Sequence, residues 1–149
     1  MGRHRLRVQV SGDGAGGLVD ALAAWHDDGR TGILVWNGTL DQGKMAGDAR
    51  FDREVRLRLW VPPGPAYTAR HYRIDAEHSN IVADWEKLRA PGSQPARAAW
   101  PREDQWQTLR KMNTLDEVVP PTQVTAVNGL LELAFELPMP GISYLEFAR

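Results

Sequence analysis

Apolar and polar residues alternate with a period of two through much of this chain. In a half-buried strand, such a pattern points apolar side chains at the core and polar ones at water. The apolar members of three such rows are Leu6, Val8 and Val10, then Val55, Leu57, Leu59 and Val61, and finally Leu131, Leu133, Phe135 and Leu137. Residues 142–147 are predicted to form the last strand, and the continuous apolar run 33–36 is typical of a central strand covered on both faces.

Turn-forming residues separate these rows. Residues 18–25 fit either a helix or a strand, and we favour a strand because a glycine-rich turn precedes them and an Asp-Asp-Gly turn follows at 27–29. The remaining turns are predicted at 11–17, 37–48, 62–65 and 128–129. Many short strands joined by polar turns indicate a mainly β protein, an antiparallel β-sandwich of the immunoglobulin or fibronectin type.

The middle of the chain has a helical period instead. The apolar face of a first predicted helix consists of Ile81, Val82, Trp85 and Leu88. Ser79 or Asn80 is its expected N-cap, and the segment 91–95, with two prolines, is expected to end it. A second helix is predicted to open at Pro101. Its apolar stripe consists of Trp106, Leu109 and Met112.

Length and charge set the broad class. The 149 residues suffice for one domain over 1–149, in which the two helices form an insertion at about 79–113 before the chain returns to strand at 120–121. The net charge of −1 gives no strong attraction to nucleic acid or anionic lipid. No apolar run approaches the roughly 20 residues that span a bilayer. We expect a soluble protein, and the lack of cysteine leaves cytoplasmic and secreted locations equally open.

Candidate catalytic groups lack the spacing that catalysis requires. The four histidines, His4, His26, His71 and His78, match no metal-binding motif, so the sequence predicts no metal and no cofactor. The acidic pairs are Asp27 with Asp28, Asp75 with Glu77, Glu103 with Asp104, and Asp116 with Glu117. Sequence neighbours rarely face each other across a glycosidic bond, and turns and helix starts explain these acids better. An independent enzyme would need convergent carboxylates in a cleft.

Six tryptophans raise the question of sugar binding. Trp85 and Trp106 lie on the predicted helical stripes and are expected in the core. Trp60 instead shares a strand face with Arg56 and Arg58, opposite the leucines, so a helix, a partner domain or a sugar is expected to cover it. Exposed, coplanar tryptophans would favour a carbohydrate-binding module for xylan-type oligosaccharides.

A family resemblance extends from about residue 15 to the end of the chain. The residues that carry it are the run HYRIDAEHSNIVADWEKLRAPGSQP from 71, the preceding VPPGPAYTAR from 61 and GILVWNGTLDQ from 32. They resemble the C-terminal region of glycoside hydrolase family 39, which contains β-xylosidases and α-L-iduronidases. The resemblance implies a β-sandwich with a helical insertion, which in that family follows a catalytic (β/α)8 barrel.

The catalytic part of that family has no counterpart here. The family's acid/base glutamate lies in an Asn-Glu-Pro motif, and no asparagine of this chain is followed by Glu. We therefore expect a non-catalytic accessory domain that packs against the barrel of a β-xylosidase-like parent enzyme, with Met1 not the natural start of that parent. The residues expected to contact the barrel or a sugar are Arg56, Arg58, Trp60, His71, Asp75, His78 and Asn80.

Overall fold

A computed structural model describes residues 2–44, 47–62, 66–88 and 100–149. The strands are β1 (His4–Arg5), β2 (Val19–Trp25), β3 (Thr31–Asn37), β4 (Arg53–Trp60), β5 (Tyr67–Ile74), β6 (Asp116–Val124), β7 (Leu130–Leu137) and β8 (Gly141–Ala148), and the α-helices are α1 (Ile81–Leu88) and α2 (Glu103–Met112). Short 3-10 turns lie at Gln42–Lys44 and Ala49–Phe51. The predicted helix end at 91–95 and most of the predicted turn at 62–65 lie outside the described residues.

The strands form two antiparallel sheets. The larger sheet has the order β1-β2-β3-β8-β5-β6, and the smaller one pairs β4 with β7. Apolar side chains from both sheets meet in a single core, in which Leu131 and Leu137 of β7 pack against Leu145 and Phe147 of β8 and their neighbours. The predicted mainly β sandwich with two short helices is therefore confirmed, and 18–25 is a strand, as favoured.

The period-two rows of β4 and β7 place their side chains as predicted. In β4, Val55, Leu57 and Leu59 are half-buried against the core, and every second residue is exposed. β7 alternates in the same way opposite β4. Strand β3 differs from its prediction, because Ile33 and Val35 are buried while Leu34 and Trp36 are only half-buried. Strand β3 is therefore fully covered on one face and half covered on the face that carries Leu34 and Trp36.

The predicted N-terminal strand is mostly wrong. Only His4 and Arg5 pair with β2, and the ladder ends after the amide of Leu6 donates to the carbonyl of Ala23. Leu6 and Val10 still pack against the core, but Val8 is exposed. The alternation therefore holds for Leu6 and Val10 but not for Val8, and residues 7–10 form no strand.

The helices are less buried than their apolar stripes predicted. Asn80 caps α1, but Ile81 and Val82 are exposed and Trp85 is half-buried, so these residues do not form a core face. Helix α2 begins two residues after Pro101, and Leu109 is its one described buried residue. Met112 is exposed and Trp106 half-buried. The helices pack against each other, and Gln105 Nε2 donates to the carbonyl of Leu88. This contact covers only part of each stripe.

Strand β6 begins at Asp116, before the two prolines that were expected to mark the return to strand. Pro120 and Pro121 lie inside β6, which is the edge strand of the large sheet. On an edge strand, a proline whose missing N–H would face solvent costs the existing ladder no hydrogen bond and denies that donor to a further strand. The register between β5 and β6 shifts on both sides of His71. Within the described residues, neither helix is long and apolar enough to cross a membrane.

Candidate functional site

The junction between β5 and α1 is organised by the carboxylate of Asp75. Its Oδ1 accepts hydrogen bonds from the amides of Glu77 and His78, each at 2.8 Å, and lies 2.9 Å from His78 Nδ1. Arg73 Nε lies 3.8 Å from the other oxygen. Burial by itself raises the pKa of Asp75, but the hydrogen bonds from Glu77 and His78 outweigh it, so the pKa lies below its ordinary value. Asp75 is therefore a charged turn anchor, with its Oδ1 already occupied.

Two further side chains complete this junction. Asn80 Oδ1 accepts from the amide of Ala83, as an N-cap does, and its Nδ2 donates to the carbonyl of Ala76. Ser79 has a φ of 49°, and it does not cap the helix. Its Oγ instead accepts from the amide of Asp116, whose carboxylate accepts from the Ser79 amide. The loop is thus tied to the start of β6, and its polar groups serve the fold.

A buried polar cluster lies further along β5. His71 Nε2 lies 2.9 Å from Ser143 Oγ on β8, and Arg73 Nε donates to the same oxygen at 3.3 Å. Arg73 Nη2 donates to the carbonyl of Glu136 on β7, which ties the large sheet to the small one. The His71 ring also meets the ring of Phe135 edge-on at 4.7 Å between centroids. These contacts place three polar side chains inside the sandwich at its β5 side.

The serine–histidine contact of this cluster does not form a hydrolytic site. Burial, and then the positive charge of Arg73, lower the pKa of His71 from 6.5 to about 4. A neutral histidine could accept a proton, but Ser143 has no exposed surface. The cavity of about 290 Å³ beside it is lined by His71 and Arg73 and not by Ser143. A substrate therefore cannot reach the hydroxyl, and we assign the cluster a structural role.

The outward face of β4 is a second, separate candidate. Trp60 is 77% exposed, so nothing in the described residues covers it. Arg56 pairs with Glu54 on the same strand, and Arg58 Nε lies 2.7 Å from Glu132 on β7. These arginines are balanced and solvated, and only the indole ring offers an unpartnered apolar surface. An exposed indole beside hydrogen-bonding side chains can stack on a sugar ring.

The seven residues expected at an interface or sugar site therefore fall into two groups. Arg56, Arg58 and Trp60 lie on the small sheet, and His71, Asp75, His78 and Asn80 lie on the large sheet and the turn that follows it. Arg73 and Ser143, the partners of His71, were missed. Period two along β5 places Arg73 on the inward face with His71, which was a usable signal. Ser143 could be found only from the register that pairs it with Arg73.

The described residues form no metal site and no acid–base pair suited to glycoside hydrolysis. No group of three or more His, Asp or Glu side chains there is placed to hold a metal ion. The pKa values of Asp28, Asp48 and Asp104 lie below their ordinary value, in each case chiefly because an arginine two residues away donates to the carboxylate. A general acid for glycoside hydrolysis needs the opposite shift.

Comparison with known proteins finds the fold but no close relative. No protein-family model matches the sequence, and no curated protein matches it. Among solved structures, a GH39 (glycoside hydrolase family 39) enzyme from Xanthomonas axonopodis pv. citri superposes with a TM-score of 0.57 at 15% identity over 86% of this chain. A bacterial orthologue of human α-L-iduronidase gives 0.56 at 19% over 87%. A monomeric β-xylosidase from Caulobacter crescentus CB15 gives 0.50 at 17% over 86%.

The match covers a minor part of each of these enzymes. This chain spans 25%, 22% and 26% of the length of the three chains, in the same order. The resemblance inferred from the residues is thus confirmed at the level of the fold, which recurs as about a quarter of larger family 39 enzymes. At such identities the shared fold carries no catalytic or binding residue across.

Proposed function

We propose that this chain is the non-catalytic accessory β-sandwich of a β-xylosidase-like family 39 glycoside hydrolase. Its role is to pack against the catalytic (β/α)8 barrel and to stabilise it. The observation that carries the proposal is the fold match, which covers nearly all of this chain and only about a quarter of each matched enzyme. A catalytic barrel needs about 250 residues, more than this whole chain provides.

The chemistry of the chain supports the same assignment. Ser143 has no exposed surface, and Oδ1 of Asp75 is engaged in its turn. The other carboxylates with lowered pKa values, Asp28, Asp48 and Asp104, belong to local ion pairs with arginine and do not converge on a cleft. The ordered side chains of the two candidate regions thus serve the fold or face water, as expected of a domain that assists another.

The test uses the natural polypeptide that contains this chain. We expect that polypeptide to hydrolyse a chromogenic xyloside and the 149-residue chain alone to leave it intact. Deleting the 149 residues should lower the melting temperature of what remains. Hydrolysis by the isolated chain would refute the accessory role. A natural polypeptide that holds no further domain would refute it as well.

A carbohydrate-binding module for xylan-type oligosaccharides is the second candidate. The observation in its favour is Trp60, whose indole is 77% exposed on the outward face of β4. Titration with xylohexaose, followed by amide shifts of the isolated chain, tests it. Saturable shifts near Trp60 that Trp60→Ser abolishes would support binding. Because Trp100 is equally exposed, Trp100→Ser is the matched control. Unshifted spectra at millimolar sugar would exclude this candidate.

A further inference from the structure

A largely apolar surface lies at one end of the large sheet. Trp36 of β3 and Ile74 of β5 are both directly opposite Ile142 of β8, so the three side chains form a row on the outward face. Leu40, in the loop after β3, is fully exposed, and Val82 of α1 is 62% exposed. We call this surface the end patch, made of Trp36, Leu40, Ile74, Ile81, Val82 and Ile142.

The end patch is continuous. One shallow cavity, of about 770 Å³, contains Trp36, Leu40 and Ile142, and another, of about 500 Å³, contains Ile74, Val82 and Ile142. The two cavities share the segment 140–142, so they adjoin at the start of β8. Soluble domains seldom leave so many large aliphatic side chains together in water, and such surfaces mark interaction sites.

Charge is sparse on the end patch. Among the described residues that line the two cavities, Asp75 is the one ionisable residue, and the exposed Asp20 lies directly opposite Trp36 at the β2 edge of the patch. The side chain of Asp75 is 6% exposed, and its Oδ1 is engaged in the turn. The outward face of β4, by contrast, carries the ion pairs of Arg56 and Arg58 with glutamates. Depletion of charge is the compositional mark of an interface core, whereas paired charges are typical of a face that stays in water.

We infer that the end patch is the surface through which this domain contacts the catalytic part of its parent enzyme. The inference rests on the proposed function. In the three matched enzymes this fold is 22–26% of one continuous chain, so the larger part is tethered to it. A tethered partner has an effective concentration in the millimolar range, which favours it over a second, free copy of the domain. The largely apolar chemistry of the patch fits an interface that stays closed.

Side-chain footprinting of the natural polypeptide and of the 149-residue chain tests the inference. Hydroxyl radicals oxidise exposed Trp, Leu, Ile and Val side chains, and mass spectrometry reads the rates. We expect Trp36, Leu40 and Val82 to be oxidised at least fivefold more slowly in the natural polypeptide. The oxidation rates of Trp60 in the two proteins should lie within twofold of each other. Equal rates for Trp36, Leu40 and Val82 in the two proteins would overturn the inference while leaving the accessory role intact.

A pair of matched variants separates this surface from its rival on β4. Val82→Asp places a charge on the end patch at an exposed position, in the first turn of α1 where an acid is favourable, so the isolated chain should keep its melting temperature within about 2 °C. In the natural polypeptide it should restore fast oxidation of Trp36. Trp60→Asp should not. If Trp60→Asp, and not Val82→Asp, abolished the protection of Trp36 against oxidation, the contact would lie on β4 and the inference would fail.

Two other outcomes have definite meanings. A dimer of the isolated chain in sedimentation, dissociated by Val82→Asp, would assign the end patch to a second copy and overturn the inference. A natural polypeptide that lacks a further domain would overturn both the inference and the proposed function.

Discussion

The buried ring of His71 links the stability of the fold to pH. Burial, and then the charge of Arg73, lower its pKa from 6.5 to about 4 in the folded chain. The unfolded chain binds the proton near the ordinary value, so the folded state favours the neutral ring. Stability is therefore complete above about pH 6.5 and decreases as the pH falls toward the folded pKa, because the unfolded state takes up a proton that the folded state refuses.

The size of this effect follows from the two pKa values. Between about pH 7.5 and about pH 5, the linkage relation gives a loss of about 2 kcal/mol in the free energy of unfolding. His71→Gln removes the titration and keeps an amide near the position from which Nε2 meets Ser143 Oγ at 2.9 Å. Urea unfolding followed by tryptophan fluorescence at both pH values measures the difference. The original chain should lose about 2 kcal/mol more than the variant.

The control for this experiment is an exposed histidine. His4→Gln changes a side chain that is half exposed and pairs with Asp27 on the surface, so the pH-dependent loss should remain within about 0.5 kcal/mol of the original. If His71→Gln shows the same loss as the original chain, the reasoning about a neutral buried ring is wrong. Should that variant not fold, an NMR titration of the His71 ring decides the matter directly, because a midpoint near the ordinary 6.5 would contradict the burial argument.

Three further substitutions test the core, the turn and the helix cap. Leu145→Ala empties a fully buried site and should cost about 2–5 kcal/mol in urea unfolding; a cost below about 1 kcal/mol would show that the two sheets are not packed at this point. Asp75→Ala should cost about 3 kcal/mol in the free energy of unfolding. It should also reduce the stability lost in acid, because the lowered pKa of Asp75 stabilises the fold above about pH 4. Glu77→Ala, at an exposed position, should cost little, and equal costs for the two variants would refute the anchoring role of Asp75. Asn80→Ala should cost about 1 kcal/mol by thermal circular dichroism and Asn80→Ser much less, and no difference between them would exclude capping.

The sequence predicted the strands of the small sheet well because one face of that sheet meets water. Each of β4 and β7 then needs strict alternation, and the pattern alone reveals it. The same pattern failed at Val8, because alternation records the direction of side chains and not the presence of a partner strand. Val10 reaches the core without one, whereas Val8 of the same row stays exposed. Period two at the N-terminus therefore guarantees neither burial nor pairing.

The helices and the polar cluster could not be predicted from local patterns for a different reason. The stripe that includes Val82 and Trp85 has a helical period, but only the tertiary fold decides which element packs against this stripe. The described residues cover the stripe incompletely. His71 meets Ser143 across 72 positions of sequence, through a register that depends on the whole large sheet. Asp75 and Asn80 were predictable, since their partners lie within four residues.

The outward face of β4 and the end patch differ in how well water solvates their side chains. On β4, each arginine beside Trp60 already has a carboxylate partner, so this face is complete in solution and a sugar could add itself to the indole without displacing a protein contact. At the end patch, the exposed aliphatic side chains of Val82 and Leu40 make no hydrogen bonds to water, and a partner would bury them. The two surfaces lie on different sheets, so a sugar at Trp60 and a catalytic domain at the end patch would occupy different parts of the molecule. An accessory domain attached through the end patch would therefore keep its Trp60 face free for a ligand.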